Sequence, residues 1–268
     1  GEHLVAHPAV DHVAFAGSTA AGRAVAETCG RLLRPATLKL GGASAAIVLD
    51  DVDLSAHLEA MHAAMLLSNG QASFLGTRVL APSSRYDEVV DALTAWVRGL
   101  RVGNALDEDT RIGPLTSERR RERVERYIDK GRREGARVTT GGGRPADLHR
   151  GWFVEPTVFA DVDNGSTIAQ EEILGPVLSV IPYRDVEEAI RFANDSDHGF
   201  GGTVWTSDRD RGAEVAARVE TGSIGVNGYR MDPAGPFGGI KDSGLGRELG
   251  PEGLSSYQTL KSTYLPPI

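Results

Sequence analysis

Apolar residues form short continuous runs that alternate with stretches of helical spacing along the chain. Residues 10–16 form such a run, residues 17–19 close it with Gly-Ser-Thr, and residues 20–33 carry alanine, valine and leucine three and four positions apart. Two further strand-like runs, 37–40 and 45–49, lie on either side of a Gly-Gly pair. The pattern predicts a βαβ unit at the start of the chain.

The same alternation continues to the end of the sequence. It predicts an α/β fold with a mostly parallel sheet covered by helices on both faces. No linker divides the pattern, and no internal repeat is visible. The predicted helices span 54–67, 86–100, 117–134, 186–193 and 209–219, and the predicted strands span 78–80, 153–158, 177–183, 203–206 and 223–226.

Composition narrows the function classes. The 268 residues carry a net charge of -8 with acidic and basic residues intermixed, which argues against a nucleic-acid or anionic-membrane surface. Cys29 is the only cysteine, so neither a disulfide nor a Cys/His metal framework is available, and we expect no metal. The sequence contains no membrane-spanning apolar run and no leader pattern. We therefore expect a cytoplasmic protein whose partners are small molecules or other protein chains.

The first candidate for chemistry is Ser18, in the turn between a predicted strand and a predicted helix. The free N–H groups and the positive dipole end of a helix suit a phosphate. Taken alone, such a turn is more often a helix N-cap that binds no ligand.

Five segments taken together resemble the NAD(P)-dependent aldehyde dehydrogenase family in their order and spacing. They are AFAGSTAAGR at 14–23, LKLGGASAAIVLDDVDL at 38–54, NGQASFLGTRVL at 69–80, EEILGPV at 171–177 and PFGGIKDSGLGRELGPEGLSSY at 236–257. The resemblance covers essentially the whole chain but only about the second half of a typical member. It implies that residues 1–40 are the remainder of the cofactor-binding domain, that 41–243 form the catalytic domain, and that 244–268 form an oligomerisation tail.

The resemblance also implies a missing half. In the family, the preceding part supplies most of the dinucleotide-binding sheet and the asparagine of the oxyanion hole. Its absence would expose a strand edge, which is costly for an isolated chain. We therefore expect a homo-oligomer or a second chain that supplies the missing half. Because Gly1 is not a start methionine, we also expect a fragment or a processed form.

The residues at the family's catalytic positions differ from the family pattern. Ser73 stands where the family's G-Q-x-C-like motif has the nucleophilic cysteine, and a hydroxyl is far less ionised than a thiol. Lys39 stands where an L-E-L-G-G-like motif has the general-base glutamate, which reverses the charge. A deliberate Cys→Ser substitution is one explanation for the first change. Lys39 favours a site that has degenerated by descent.

The resemblance assigns the remaining site residues. Ser18 matches a pyrophosphate contact, and Glu172 matches the glutamate that binds the nicotinamide ribose. The implied substrate pocket comprises Asn227, Tyr229, Arg230, Asp232 and Phe237. Tyr229, Arg230 and Asp232 would lie beside Ser73 and Lys39. Together they would transfer protons to and from a carbonyl compound. The alternative is that Arg230 and Asp232 form only a solvated pair.

We therefore predict a truncated aldehyde-dehydrogenase-like protein that no longer oxidises aldehydes. It would carry out a non-redox step in biosynthesis, of the cyclisation, isomerisation or lyase type, on a small molecule that contains a carbonyl group. We expect no bound cofactor, with NAD or NADP as the alternative. Two other functions remain open: a fragment or subunit of an NAD(P)-dependent aldehyde dehydrogenase, and a non-catalytic partner of a full-length homologue.

Overall fold

The computed structural model describes residues 1–267. Short 3-10 turns cover Leu54–His57 and Ser83–Arg85, and a π-helical turn covers His62–Leu66. The α-helices are α1 Glu2–Ala6, α2 Thr19–Arg31, α3 Leu58–Met61, α4 Leu67–Gly70, α5 Tyr86–Arg98, α6 Glu118–Arg133, α7 Thr167–Gln170, α8 Val186–Asn194, α9 Arg209–Ala216 and α10 Gly250–Ser255. The strands are β1 Val13–Ala16, β2 Ala36–Lys39, β3 Ala45–Val48, β4 Arg78–Pro82, β5 Arg137–Thr140, β6 Thr157–Ala160, β7 Val177–Tyr183, β8 His198–Gly199, β9 Gly202–Trp205, β10 Gly225–Val226, β11 Ile240–Lys241 and β12 Gly244–Leu245.

The strands form a large sheet and two small ones. The large sheet has seven strands in the order β10-β9-β3-β4-β7-β6-β5, all parallel except β5, which runs antiparallel to β6. A three-stranded sheet has the order β1-β2-β12, and β11 pairs with β8. β1 and β2 are parallel and joined by α2, which confirms the predicted βαβ unit.

Helices cover both faces of the seven-stranded sheet, as the sequence pattern predicts. Ala45 and Ile47 of β3 pack with buried residues of α6, α8 and α9. Ala46 and Val48 of the same strand pack with α5 and with the helical turns between residues 54 and 70. Neighbouring side chains of a strand point to opposite faces, so the two clusters lie on opposite sides of the sheet. The α/β class with a mostly parallel sheet is therefore confirmed.

Several predicted elements differ in the structure: the strand predicted over 223–226 begins only at Gly225, and the helix predicted over 209–219 ends at Ala216. The helix predicted over 54–67 is divided into 3-10, α and π turns, and it cannot continue because Ser68 and Asn69 adopt φ values of 53° and 59°. The Asn69 side chain holds this bend by accepting from Gly113 N at 2.7 Å and donating to the Pro114 carbonyl at 3.1 Å. The strand predicted over 153–158 begins only at Thr157.

The two strands that follow α2 belong to different sheets. β2 lies in the three-stranded sheet, whereas β3 lies in the seven-stranded sheet. Between them, Gly42 has no room for a side chain, because a Cβ there would lie 2.0 Å from the Ser73 carbonyl oxygen. None of the helices in residues 1–267 combines the length and the apolar character that crossing a membrane requires.

Candidate functional site

A cavity of about 1060 Å³ lies between the two larger sheets. The ends of β1 and β2 reach it from one side, since residues 16–18 and 39–40 lie on its wall. From the other side it is reached by the segments that precede β4, β7 and β9. The cavity therefore meets the carboxyl ends of the small sheet's parallel strands and the amino ends of the large sheet's strands.

Ser18 lies on this wall at the start of α2. It is the N-cap of the helix, and its Oγ accepts from Ala21 N at 3.3 Å. Gly17 N donates to the Lys39 carbonyl at 3.1 Å, which fixes the turn against β2. The amino end of a 13-residue helix therefore faces the cavity, a position suited to an anionic group.

Lys39 ends the central strand of the three-stranded sheet, and its side chain reaches a glutamate and an aromatic ring. Lys39 Nζ lies 3.1 Å from Glu248 Oε2 and 5.5 Å from the centre of the Phe237 ring. Phe237 and Glu248 form an antiparallel bridge, with both backbone hydrogen bonds at 2.7 Å. The ammonium group is thereby held between a carboxylate and a ring on one rigid backbone pair.

Ser73 lines the cavity from the opposite side, in the segment that precedes β4, and is half-buried. Its segment is held by close backbone contacts, because a Cβ on Gly70 would lie 2.1 Å from the Gly175 carbonyl oxygen. The two glutamates on the wall are engaged elsewhere, Glu172 with Gly42 N and Glu248 with Lys39. Within residues 1–267, neither of these carboxylates is hydrogen-bonded to the Ser73 hydroxyl.

Glu172 is fixed at the edge of the cavity. Its Oε1 accepts from Gly42 N at 3.0 Å, and its backbone oxygen accepts from Arg123 Nη2 at 2.6 Å. Arg123 also donates to the Tyr127 hydroxyl, which in turn donates to Glu171 Oε2 at 2.7 Å. Burial, together with this last hydrogen bond, raises the pKa of Tyr127 to about 12.

Aromatic rings form the apolar part of the wall. The Phe200 and Phe237 ring centres lie 5.3 Å apart, and Phe74 meets both edgewise at 6.4 and 6.0 Å. Behind Phe74, the Tyr229 ring stacks at 5.0 Å and 12° between planes. Tyr229 Oη lies 2.5 Å from Ser223 Oγ, and burial raises the pKa of this phenol. Such a wall suits an apolar ligand.

Not all of the residues predicted for the substrate pocket lie on this wall. Phe237 does, whereas Tyr229 stands behind Phe74, and Arg230 and Asp232 are exposed outside the lining. Met231 is the member of their loop that reaches the cavity. The predicted combination of acid, base and cation beside Ser73 is therefore not assembled here, because the loop turns its charged side chains to solvent.

Asn227 hydrogen-bonds the backbone at the end of β9. Its Oδ1 accepts from Thr206 N at 2.9 Å, and its Nδ2 donates to the Thr206 carbonyl at 2.8 Å. These two bonds close the end of β9 onto β10. The residue does not line the cavity.

The structure adds cavity residues that sequence reasoning missed. Arg119, Arg120 and Arg123 of α6 lie on the wall, in a segment that mixes acidic and basic residues. The apolar residues Val124 and Ile128 could have indicated this, because they mark the face of α6 that packs against the protein. Residues three and four positions apart share a helix face, so the same face includes Arg120. Glu248 was missed because its partner is distant in the sequence.

The site contains no thiol and no metal cluster in the part of the chain that the structure describes. Cys29 is 2% exposed within α2 and does not line the cavity. Residues 1–267 contain no group of three or more His, Cys, Asp or Glu side chains arranged to hold a metal ion.

Comparisons with known proteins agree with this architecture. The model of the aldehyde dehydrogenase family matches residues 1–263. Geranial dehydrogenase of Castellaniella defragrans is 58% identical over 265 residues, which are 99% of this chain and 55% of that protein. The NAD⁺ complex of Mycobacterium tuberculosis aldehyde dehydrogenase has a TM-score of 0.97 at 51% identity, over 99% of this chain and 55% of that one.

A second solved structure gives the same result. The NAD⁺ complex of Bacillus cereus aldehyde dehydrogenase has a TM-score of 0.94 at 39% identity and covers 99% of this chain and 54% of that one. The chain therefore spans about half the length of the relatives that it matches.

Proposed function

The chain belongs to the aldehyde dehydrogenase family, and on that premise we propose that its cavity binds an apolar carbonyl compound without oxidising it. The proposal rests on which side chains line the cavity. Ser73 and a Lys39–Glu248 ion pair stand there, beside an aromatic surface.

The absence of a thiol from this wall supports the loss of oxidation. The family's reaction begins with a thiolate that attacks the aldehyde, and a serine hydroxyl without a base is a poor substitute. The only cysteine, Cys29, is buried in α2 and does not line the cavity. The carbonyl compound would instead undergo a non-redox step, of the isomerisation, cyclisation or lyase type.

The aromatic wall supports an apolar substrate. Phe74, Phe200 and Phe237 together present a surface that would bind a hydrocarbon chain by burial of apolar area. The relative from Castellaniella defragrans is named for its action on geranial, an unsaturated apolar aldehyde. We extend that substrate class, as a ligand, to this chain.

The residues present fit the nicotinamide end of NAD. The amino end of α2 at Ser18 would face the phosphates, and the carboxylate of Glu172 would accept from a ribose hydroxyl. Gly41 leaves this carboxylate room, because a Cβ there would lie 3.1 Å from Glu172 Oε2. In the family, NAD supplies the acceptor for a hydride. Two relatives were crystallised with NAD⁺, which supports the same cofactor here, with NADP as the alternative.

A second candidate function is that of one part of a two-part dehydrogenase. The chain matches only 55% of its relative's length, and its described C-terminal residues expose large apolar side chains. Leu260, Tyr264 and Leu265 are 95%, 92% and 83% exposed. Such side chains would be buried by another subunit, either a second copy of the chain or a full-length homologue that the chain would stabilise.

The test is a calorimetric titration of the folded chain with geranial, with NAD and with NADP, accompanied by a circular-dichroism melt. We expect saturable binding of geranial and no NADH when both ligands are present. Adding a chain that supplies the remaining half separates the two functions. NADH formation in that mixture would favour the two-part dehydrogenase, and continued absence of NADH would favour the non-redox function.

A further inference from the structure

A lysine amine in a carbonyl-binding cavity offers a reaction that the family's thiol chemistry does not use. We infer that Lys39 forms an imine with the aldehyde bound in the cavity. This inference rests on the proposed function, because it requires a carbonyl ligand to reach the same wall. It assigns the bond-forming role to Lys39 and the proton transfers to Glu248.

The position of Lys39 suits a nucleophile. Its backbone lies in the middle strand of the three-stranded sheet, paired with Ala16 on one side and Gly244 on the other. Its side chain is 30% exposed and lines the cavity, so a ligand can reach the amine without unfolding the site. A rigid backbone and an accessible head group favour a lysine that bonds to a ligand.

Glu248 is placed to move the protons of the reaction. Its Oε2 lies 3.1 Å from Lys39 Nζ, and its side chain is 31% exposed. Two backbone hydrogen bonds to Phe237 fix it in register, while the Phe237 ring faces the ammonium group at 5.5 Å. The ring offers its face to a cation, and it would equally stabilise the positive charge of a protonated imine.

The steps balance without an oxidant. Glu248 accepts a proton from the Lys39 ammonium, and the neutral amine attacks the aldehyde carbon to form a C–N bond. The carbonyl oxygen takes up a proton from the newly bonded nitrogen and becomes a carbinolamine hydroxyl. Glu248 returns its proton to that hydroxyl, which leaves as water while the nitrogen lone pair forms the C=N bond. One aldehyde and one ammonium group thus give one protonated imine and one water.

The chain supplies its own control for reactivity. Its four lysines are Lys39, Lys130, Lys241 and Lys261. Lys241 has a similar exposure, 28%, and its Nζ lies 2.8 Å from Glu220 Oε2. It also donates to the Asn194 and Ser196 carbonyls, and it does not line the cavity. Exposure and pairing alone would therefore label both lysines, whereas a cavity-bound aldehyde labels only Lys39.

The experiment treats the folded chain with geranial and sodium cyanoborohydride, which reduces an imine to a stable amine, and maps the adduct by peptide mass spectrometry. Binding of geranial is measured in parallel by calorimetry. We expect one adduct, on Lys39, in the native chain and in Lys241→Arg. Lys39→Arg should lose it, because arginine keeps the positive charge but forms no imine under these conditions.

Glu248→Gln tests the proton transfers. We expect it to slow adduct formation on the order of 100-fold, and Glu248→Asp should recover part of the rate. An equal rate in Glu248→Gln would remove that residue from the reaction.

The outcomes separate the two claims. Saturable geranial binding without a Lys39 adduct, or with adducts only at Gly1 or at the other lysines, would overturn the imine and leave the proposed function standing. A cooperatively folded chain that neither binds geranial nor forms the adduct would overturn both.

Discussion

Lys39 Nζ lies 3.1 Å from Glu248 Oε2, so an ion pair joins the central strand of the small sheet to the C-terminal segment of the chain. Lys39→Glu would set two carboxylates against each other. We expect a loss of unfolding free energy of about 1 kcal/mol or less near neutral pH, because the pair is partly exposed. Urea unfolding of the native and variant chains measures this loss of free energy.

The pH dependence of this variant has a defined sign. Mutual repulsion raises carboxylate pKa values in the folded Lys39→Glu protein, so protonation favours the folded state. The deficit should therefore be present at about pH 8 and shrink toward about pH 5. Lys39→Gln is the control, since it removes the pair without adding a charge. Equal deficits for both variants at both pH values would contradict direct contact between positions 39 and 248.

Gly42→Ala tests how tightly the cavity segment is held. A Cβ at this position would lie 2.0 Å from the Ser73 carbonyl oxygen, so the segment must move or the turn must open. We expect a loss of about 1–3 kcal/mol of unfolding free energy, typical of overpacking, together with weaker geranial binding. Denaturant unfolding and calorimetry measure the two effects.

Gly30→Ala is the matched control. Apart from its chain neighbours and the backbone of its own helix, no atom lies within 4 Å of its added Cβ. We expect no loss of stability, and a gain of up to about 1 kcal/mol from the stiffer helix. Equal unfolding free energies for the Gly42→Ala and Gly30→Ala variants would contradict the close contact between Gly42 and the Ser73 carbonyl.

Phe74→Ala tests the aromatic wall. Phe74 lines the cavity and meets Phe200, Phe237 and Tyr229, so its removal takes away both ligand contact and support for the other rings. We expect geranial affinity to fall roughly tenfold, which corresponds to about 1.4 kcal/mol. Tyr229→Phe keeps the stacked ring and loses only the hydroxyl that meets Ser223, so its affinity should stay near that of the native chain. A larger loss in Tyr229→Phe than in Phe74→Ala would place the ligand elsewhere.

Glu188 provides a pH-dependent stability test away from the cavity. Hydrogen bonds from the Arg184 side chain and backbone N–H lower the pKa of Glu188 from 4.5 to about 2. A lowered pKa contributes stability above the unfolded value, which is lost as pH falls through the folded value. Thermal melts should show Glu188→Gln less stable than the native chain above pH 4.5, with the difference closing toward pH 2. Glu214→Gln, at an exposed position of α9, is the control for replacing a glutamate by glutamine.

The elements that local spacing determines were predictable from the sequence. The strand β7, Val177–Tyr183, has the predicted bounds, and α2 and α5 differ from prediction only at their ends. In each case the apolar period or run is self-contained. The turns between residues 54 and 70 were not predictable, because their bend depends on bonds from Asn69 to residues more than 40 positions away.

The cavity was predictable only in part, for a related reason. Ser73, Lys39, Ser18 and Glu172 sit in motifs that a family resemblance identifies, and all four line the same cavity. The partner of Lys39 could not be identified, since Glu248 reaches it only through the antiparallel pairing of the C-terminal segment. Spacing within one segment carries no information about such a contact.

The most direct test of the central claim is calorimetric titration of the folded chain with geranial, with NADH absorbance followed after NAD is added. We expect saturable binding of geranial and no NADH, because the cavity offers an aromatic wall, a lysine and a serine but no thiol. A cooperatively folded chain that does not bind geranial, or one that produces NADH from geranial and NAD, would contradict a carbonyl-binding cavity that does not oxidise its ligand.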